Sequence, residues 1–422
     1  MRLSDTLTRK KQELPPPPGP IRMYFCGPTV YQRAHVGNAR PYVLGMWLRG
    51  WLRSRGYEVR LVHNITDIND RIYDAAPGAS AELAARATLW YLDDTDALGL
   101  GRPDDLPKAS EVIPEIIRFI SELIERDYAY EVEGDVYFRV ASFPEYGQLS
   151  GQKSDQVEEQ EPNPRKEDQR DFALWKANKP DEDTWWDSPW GRGRPGWHIE
   201  CSVMAEELLG PVFEIHGGGL DLVFPHHENE LAQSRALGHE FARIWTHNGL
   251  LRFIGSKMSK SEGNVVTIRE ALDKWGRETL LLYFLTGHWS KPIDFSDETM
   301  AAAEARVERF RDVFRGPSEP AGEGEWERFA AALEEDFNTP DALAVMHGWR
   351  DHDLLRRALD VFGLVSLADE QEAPPAVVEL AERRQQARAA RDFEEADRLR
   401  AEIEAAGWEA RDVAEGFQLV PK

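Results

Sequence analysis

The chain has 422 residues, 41% of them hydrophobic, enough to bury a sizeable core and to divide into two to four domains. Its formal net charge of −24 at pH 7 argues against a protein that coats nucleic acid non-specifically, because phosphate affinity comes mainly from clustered Lys and Arg; a locally basic surface stays open. The opening stretch carries Arg9, Lys10 and Lys11 and then Pro15 to Pro18, without the apolar run of a signal peptide or membrane helix, so a soluble, untargeted protein is expected. Cys26 and Cys201 lie far apart in a chain that reads as cytosolic, where a buried thiol or a metal ligand is favoured over a disulfide.

The run Ile21 to Cys26 reads as a strand, and the turn Gly27-Pro28-Thr29 follows at once. Asn38 to Arg55 has helical periodicity through Val43, Leu44, Trp47, Leu48, Trp51 and Leu52, with Pro41 tolerated in the first turn and Gly56 as the stop. Tyr57 to Thr66 then reads as a second strand. This is the opening of a parallel α/β sheet, in which the first strand-to-helix loop is the natural phosphate site.

Pro114 to Arg126 is an amphipathic helix, Asp135 to Val140 a short strand, and the polar stretch from Gly151 to Asp171, with Pro162 and Pro164, a surface loop. Residues from roughly 115 to 190 read as an insertion between two halves of the sheet, which is expected to resume at Gly196 to Cys201 and again near Val212 to His216. Pro225 opens a helix that Gly238 closes. After Ser296 the period is 3.6: helices are expected over Asp297–Phe314, Trp326–Leu333, Pro340–His347 (with Thr339 as N-cap), Asp353–Phe362 and Val377–Ala406.

Four constellations carry chemistry. In His35-Val36-Gly37-Asn38 two hydrogen-bonding side chains flank a glycine at a helix start, which suits a triphosphate; a loop donor and an N-cap make the plainer reading. Lys257-Met258-Ser259-Lys260-Ser261, bounded by Gly255 and Gly263, is a cationic clamp for charge that builds on a pyrophosphate, or else a solvated basic turn. In Pro225-His226-His227-Glu228-Asn229-Glu230, His226 and Glu230 share a helix face, and His227 and Glu230 nearly do. With the two thiols they compose a Cys, Cys, His, Glu zinc site in which spacing does not choose between the histidines. His216-Gly217-Gly218-Gly219-Leu220-Asp221 follows a strand, and its glycines let backbone approach a flat ligand such as adenine, or simply turn.

These residues together resemble the cysteinyl-tRNA synthetase family of class I: CGPTVYxxAHVGNAR at 26–40, GWHIECS at 196–202, HGGGLDLVFPHHENE at 216–230 and KMSKS at 257–261, supported by NITDIND at 64–70, SFPEYGQLSG at 142–151 and DFNTPDALAV at 336–345. The resemblance implies that Cys26, Cys201, His226 and Glu230 hold one zinc ion, that His35 and Asn38 contact ATP phosphates, and that Lys257 and Lys260 support the pyrophosphate end. It further implies that Thr66, Trp197 and Asp221 line the amino-acid pocket and that Gly217, Gly218 and Gly219 pass close to the adenosine. The implied substrates are L-cysteine, ATP with Mg²⁺, and tRNA(Cys), and the protein is expected to be a cytoplasmic monomer away from any membrane. A zinc–thiolate contact that serine cannot make removes the need for an editing domain. One departure is Glu262, which sets an acid directly after KMSKS.

The implied fold is a Rossmann-like catalytic domain in two halves (1–114 and 191–245), a connective insertion (115–190), a KMSKS-bearing stem-contact region (246–296), a helical anticodon-arm bundle (297–370) and a small C-terminal domain (371–422). Arg383, Arg384, Arg388 and Arg391 on the last helix are candidates for phosphate contact. Two other readings compete: a ligase that couples cysteine to an amino sugar in thiol biosynthesis, and a non-catalytic zinc-binding paralogue. A paralogue that had lost catalysis is expected to lack an ATP-contacting residue, whereas His35, Asn38, Lys257 and Lys260 are all present.

Overall fold

The opening residues form an antiparallel hairpin of β1 (Arg2–Asp5) and β2 (Lys10–Glu13) that the sequence reading did not anticipate. The computed structural model describes residues 1–152, 163–253, 266–369, 373–413 and 416–421. The first expected strand is β3 (Pro20–Phe25), followed by α1 (Val36–Ser54) and β4 (Glu58–His63).

The helix starts two residues before Asn38, and His35, not Asn38, is its N-cap. The His35 N–H donates to Asn38 Oδ1 at 3.2 Å, and the Asn38 N–H donates to the His35 carbonyl at 2.8 Å. Histidine is not among the residues preferred as caps, so the sequence carries no cap signal at His35. Pro41 therefore lies inside the helix and not in its first turn.

Two helices without a strong sequence signal come next, α2 (Asp70–Ala75) and α3 (Ser80–Asp96), then the expected α4 (Ile113–Glu125). The insertion is an antiparallel sheet of β5 (Ala129–Val132), β6 (Asp135–Phe138), β7 (Phe172–Ala177), β8 (Trp186–Ser188) and β9 (Gly191–Pro195), in the order β5-β6-β7-β9-β8. Part of the expected surface loop, 153–162, lies outside the described residues. Its end is anchored: buried Asp171 accepts from the Tyr130 hydroxyl at 2.8 Å and from the Val140 N–H at 2.9 Å.

Gly196 to Cys201 is not a strand; it opens α5 (Trp197–Leu209). Residues His198 to Ala205 are all buried, His198, Glu200 and Ser202 among them, so the segment has no solvent face there, and a run buried on all sides cannot be told from a buried strand by periodicity. Then come β10 (Val212–Gly219), α6 (Glu228–Ala236) and β11 (Phe241–Asn248). The central sheet is wholly parallel in the order β11-β10-β3-β4, with Phe25 opposite both Gly217 and His63, and Gly217 opposite Thr246. Its strands thus end together, and the crevice beyond those carboxyl ends is where an open α/β sheet binds ligands.

The chain continues through β12 (Leu251–Phe253), α7 (Ile268–Trp275), α8 (Arg277–Leu285) and β13 (Ile293–Phe295), with β12 and β13 parallel. Four helices follow close to their expected limits: α9 (Asp297–Arg315), α10 (Glu325–Glu334), α11 (Thr339–Met346) and α12 (His352–Val361). The cap of α11 is Asn338 and not Thr339, since Asn338 Oδ1 accepts from the Asp341 N–H at 3.3 Å. These helices share a core with α1. The Trp51 ring meets Phe329 at 6.1 Å between centroids, and the Trp47 indole N–H donates to the Phe362 carbonyl at 3.0 Å. Met1–Leu367 is accordingly one compact unit.

Ala368–Lys422 is a second unit. The expected single helix Val377–Ala406 is two, α13 (Pro375–Ala389) and α14 (Phe393–Ala405), followed by an antiparallel hairpin of β14 (Trp408–Val413) and β15 (Gly416–Pro421). Arg391 adopts φ of 61°, and Asp392 caps α14 by accepting from the Glu395 N–H at 3.2 Å; the break lets Val377, Ala381 and Ile403 meet in a core of their own. Arg384 and Arg388 both pair with Asp412, and Arg383 with Glu395. Among the described residues no helix is long and apolar enough to cross a membrane.

Candidate active site

The cysteines that lie far apart in sequence meet beneath the sheet crevice. Cys26 follows β3, Cys201 sits in the second turn of α5, and the sulfurs are 3.9 Å apart. Glu230 Oε1 lies 3.7 Å from Cys26 Sγ and 3.1 Å from His226 Nε2. All four side chains are buried, and both thiols are free.

A second donor set overlaps the first: Cys26, His216, His227 and Glu230. His227 Nε2 is 3.2 Å from Cys26 Sγ and 3.9 Å from Glu230 Oε1, whereas His216 Nε2 is 2.8 Å from Glu230 Oε2. Zn–S bonds of about 2.3 Å and Zn–O bonds of about 2.1 Å at a tetrahedral angle put two sulfurs about 3.8 Å apart and a sulfur and an oxygen about 3.6 Å apart. The spacings of Cys26, Cys201 and Glu230 match those values. The two-thiol set also has the softer donors. The residues therefore fit a zinc ion.

Burial pushes the Cys26 thiol and the Glu230 carboxyl well up and His226 and His227 well down, so that each is held neutral. A divalent cation is the charge that reverses this for thiol and carboxyl. Around the donors stands a ring of imidazoles that the sequence reading missed. His198 Nδ1 is 3.0 Å from His226 Nδ1, and His227 Nδ1 is 2.8 Å from His247 Nε2, which in turn lies 2.7 Å from Thr6 Oγ1 through its Nδ1. Burial holds His198, His216 and His247 down to about 3, so they orient neighbours as neutral rings. Their spacing carries no motif, because three separate strand and helix ends have to converge before they meet.

The remaining residues of the 225–230 run anchor α6 to the insertion. Glu228 accepts from the Gly147 N–H at 2.9 Å and the Ser150 N–H at 2.7 Å, and Asn229 accepts from the Tyr146 hydroxyl at 2.5 Å. This gives the 142–151 motif its purpose.

Above the cluster opens a cavity of about 450 Å³, lined by Cys26, His35, Asn38, Trp197, Gly219 and Asp221 among others. The structure thus brings the first signature turn, Cys26 of the thiol pair and two of the three expected amino-acid pocket residues to one space. The Trp197 ring stacks on His226 at 4.2 Å. Thr66 does not line the cavity; it forms an isolated parallel bridge with Thr29 and holds the Val30 N–H at 3.1 Å through its carbonyl.

Of the three glycines, only Gly219 lines this cavity. All three belong to β10 and do not follow it, and the space around two of them is filled: a Cβ on Gly217 would lie 2.4 Å from the Phe25 ring, and one on Gly218 2.9 Å from the His227 ring. Packing is thus a sufficient reason for Gly217 and Gly218. Lys257 and Lys260 lie outside the described residues.

A wholly parallel sheet with His35 and Asn38 at its first crossover sets the architecture, and known proteins give its class. Residues 14–305 match the family described as the class I (C) tRNA synthetase catalytic domain, and residues 328–352 match the DALR domain. The fold is shared with the Mycobacterium tuberculosis methionyl-tRNA synthetase bound to methionyl-adenylate (TM-score 0.58, 14% identity, 82% of this chain and 88% of that one). It is shared too with the Agrobacterium radiobacter K84 LeuRS in its ternary complex (TM-score 0.55, 11% identity, 83% of each chain).

Within that class the chain belongs to the cysteine–tRNA ligase family. It is 42% identical to the cysteine–tRNA ligase of Pseudothermotoga lettingae, over 99% of this chain and 98% of that one. The cysteine–tRNA ligase of Brevibacillus brevis is likewise 42% identical, over 99% of each chain.

Proposed function

We propose that this chain activates L-cysteine with ATP, releasing pyrophosphate, and transfers the cysteinyl group to a tRNA, the activity for which its relatives are named. The observation that carries the reading is the buried Cys26–Cys201 pair with His226 and Glu230, opening beside the turn that holds His35 and Asn38.

In this reading Cys26, Cys201, His226 and Glu230 hold a zinc ion, which when bound supplies a soft Lewis acid for a substrate sulfur. His35 and Asn38 donate to the ATP phosphates at the start of α1, where the helix end favours anions. Trp197 and Asp221 position the amino acid, with Thr66 fixing the turn behind them. Gly219 lets the nucleotide approach the sheet edge. The amino-acid carboxylate attacks the α-phosphorus, pyrophosphate leaves, and Lys257 and Lys260 offset the charge that it carries away. A tRNA hydroxyl then attacks the carbonyl carbon and AMP leaves. Mg²⁺ accompanies ATP, and the protein acts as a cytoplasmic monomer.

Support for tRNA over an amino sugar as acceptor comes from the DALR match at 328–352, in helices α10 to α12. We assign the helical region from 297 and the Ala368–Lys422 unit to the anticodon arm and 246–296 to the stem-contact region, with the connective insertion running past the expected limit of 190 to the end of β9 at Pro195. ATP–pyrophosphate exchange run with each amino acid tests the assignment: exchange is expected with cysteine and not with serine. Equal exchange with serine, or cysteine coupled to a glucosamine-type amine without tRNA, would overturn it.

A further inference from the structure

Helix α3 has no part in the reading above, yet it touches both loops that flank the nucleotide cavity. Its Leu83, Ala84 and Ala87 pack on Val30 of the first signature segment. The Tyr91 hydroxyl lies 2.6 Å from His63 Nε2, and Tyr91 lines the cavity. One turn on is Asp94, whose carboxylate is fully buried.

Asp94 Oδ1 accepts from Arg33 Nη1 at 2.8 Å and from Arg269 Nε at 3.0 Å. Arg269 also donates to the Asp93 carboxylate at 2.7 Å. Arg33 lies two residues before His35 and lines the cavity; Arg269 lies two residues after Thr267 in α7, a few residues past the KMSKS run in sequence. Between the two arginines the backbones are stitched. The Val36 N–H donates to the Val266 carbonyl and the Ile268 N–H to the Ala34 carbonyl, both at 2.9 Å, which pairs His35 with Thr267.

We propose that Asp94 is a positioning residue for adenylate formation: it clamps Arg33 and Arg269 so that the His35 turn and the chain after KMSKS keep one fixed separation. A buried ion pair contributes little net stability, because desolvation offsets its attraction. What such a carboxylate does supply is geometry: one acceptor shared by two guanidinium groups from separate segments fixes their distance. Nucleotide chemistry needs that, since misplacement by about 1 Å can cost about 10²-fold in rate. Asp94 Oδ2 is buried without a hydrogen-bond partner among the described residues, so the carboxylate is turned to serve both arginines through one oxygen.

This inference rests on the proposed activity, and wild-type protein separates the two: absence of cysteine-dependent exchange in the wild type would sink that activity, whatever Asp94 does. In the full chain, Asp94→Asn is expected to lower kcat for ATP–pyrophosphate exchange, or raise the ATP KM, by about 10 to 10²-fold, while the cysteine KM moves less than about twofold. Arg269→Gln, at a side chain that is partly exposed, keeps the test alive if the Asn variant does not fold, and should show the same split. The double variant should lose no more than the worse single one, because both remove the same clamp. Exchange within about twofold of wild type in the folded variants, or equal damage to both KM values, would overturn the proposal.

Discussion

At the scale of the residue, Cys26 is the side chain on which the site turns. It lies within 3.9 Å of Cys201, Glu230 and His227 together. Cys26→Ser replaces a soft donor by a poor one. The variant should lose its zinc in elemental analysis and bind cysteine less well, with a smaller effect on ATP; full zinc occupancy in the variant would refute the ligand assignment. If Lys260 acts as the proposed clamp, Lys260→Ala takes a positive charge from the departing pyrophosphate and should slow adenylate formation by about 10² to 10³. Single-turnover measurement of cysteinyl-adenylate checks this, and a normal rate of that step with slow transfer alone would reject the clamp.

The residue types of this site were legible in the sequence, but the choice between His226 and His227 was not. Both reach Glu230, by i,i+4 and i,i+3 spacing, at 3.1 and 3.9 Å. The difference lies in which faces Cys201 and which faces His247, and that depends on α5 and β11, elements distant in sequence. His198, His216 and His247 were invisible as a ring for the same reason.

At the scale of the element, the insertion is tied to the catalytic sheet through Asp70, the first residue of α2. Its carboxylate pairs with Lys176 of β7 at 2.9 Å and with Arg194 of β9. Burial pushes the Asp70 carboxyl up, but Lys176 and Arg194 outweigh it and bring it down to about 2. A group with a depressed folded-state pKa stabilises the fold above its ordinary value, near 4, and that stabilisation is lost as pH falls toward 2. Asp70→Asn should therefore be less stable than wild type at neutral pH, and the denaturant midpoints of the two should converge near pH 2. A gap that is constant across that window would show that the charge is not what holds the insertion.

The same scale explains the glycine run. Gly217→Ala sets a methyl against the buried Phe25 ring, and overpacking of this kind costs about 1–3 kcal/mol or more. Denaturant melts should show that loss even without ligand, whereas an adenosine-contact role alone would leave the free protein unchanged. Strands β3, β4 and β10 and helices α4 and α9 to α12 could be read from pattern and breakers. Helix α5 could not, since burial on every side erases its period, and neither could the break at Arg391, where no Gly or Pro marks the left-handed turn.

At the scale of the whole molecule, the question is where the tRNA-binding part ends and the catalytic part begins. Composition alone sets the change near Ser296, where the 3.6 period takes over, and a cut near residue 300 would then spare catalysis. The packing argues against that cut. Trp47 and Trp51 of α1, the helix that His35 caps, are covered by Phe362, Trp326 and Phe329, so removing α9 to α12 uncovers the core that they share with α1 and exposes aromatic rings of about 150–250 Å² each. Leu367 is the boundary that the contacts support. A chain ending there keeps both the cavity beside His35 and the thiol cluster. It should retain cysteine-dependent ATP–pyrophosphate exchange close to that of the full chain and charge tRNA less well, because on the proposed assignment it keeps the DALR-matched helices at 328–352 but loses the Ala368–Lys422 share of the anticodon-arm surface. Since Arg384 and Arg388 are held by Asp412 and Arg383 by Glu395, few free cations remain on α13. The charging defect should therefore depend on salt less steeply than the slope of roughly −0.9 per phosphate expected if each of these arginines met a phosphate. Undiminished charging by the shortened chain would assign the tRNA surface wholly to Met1–Leu367.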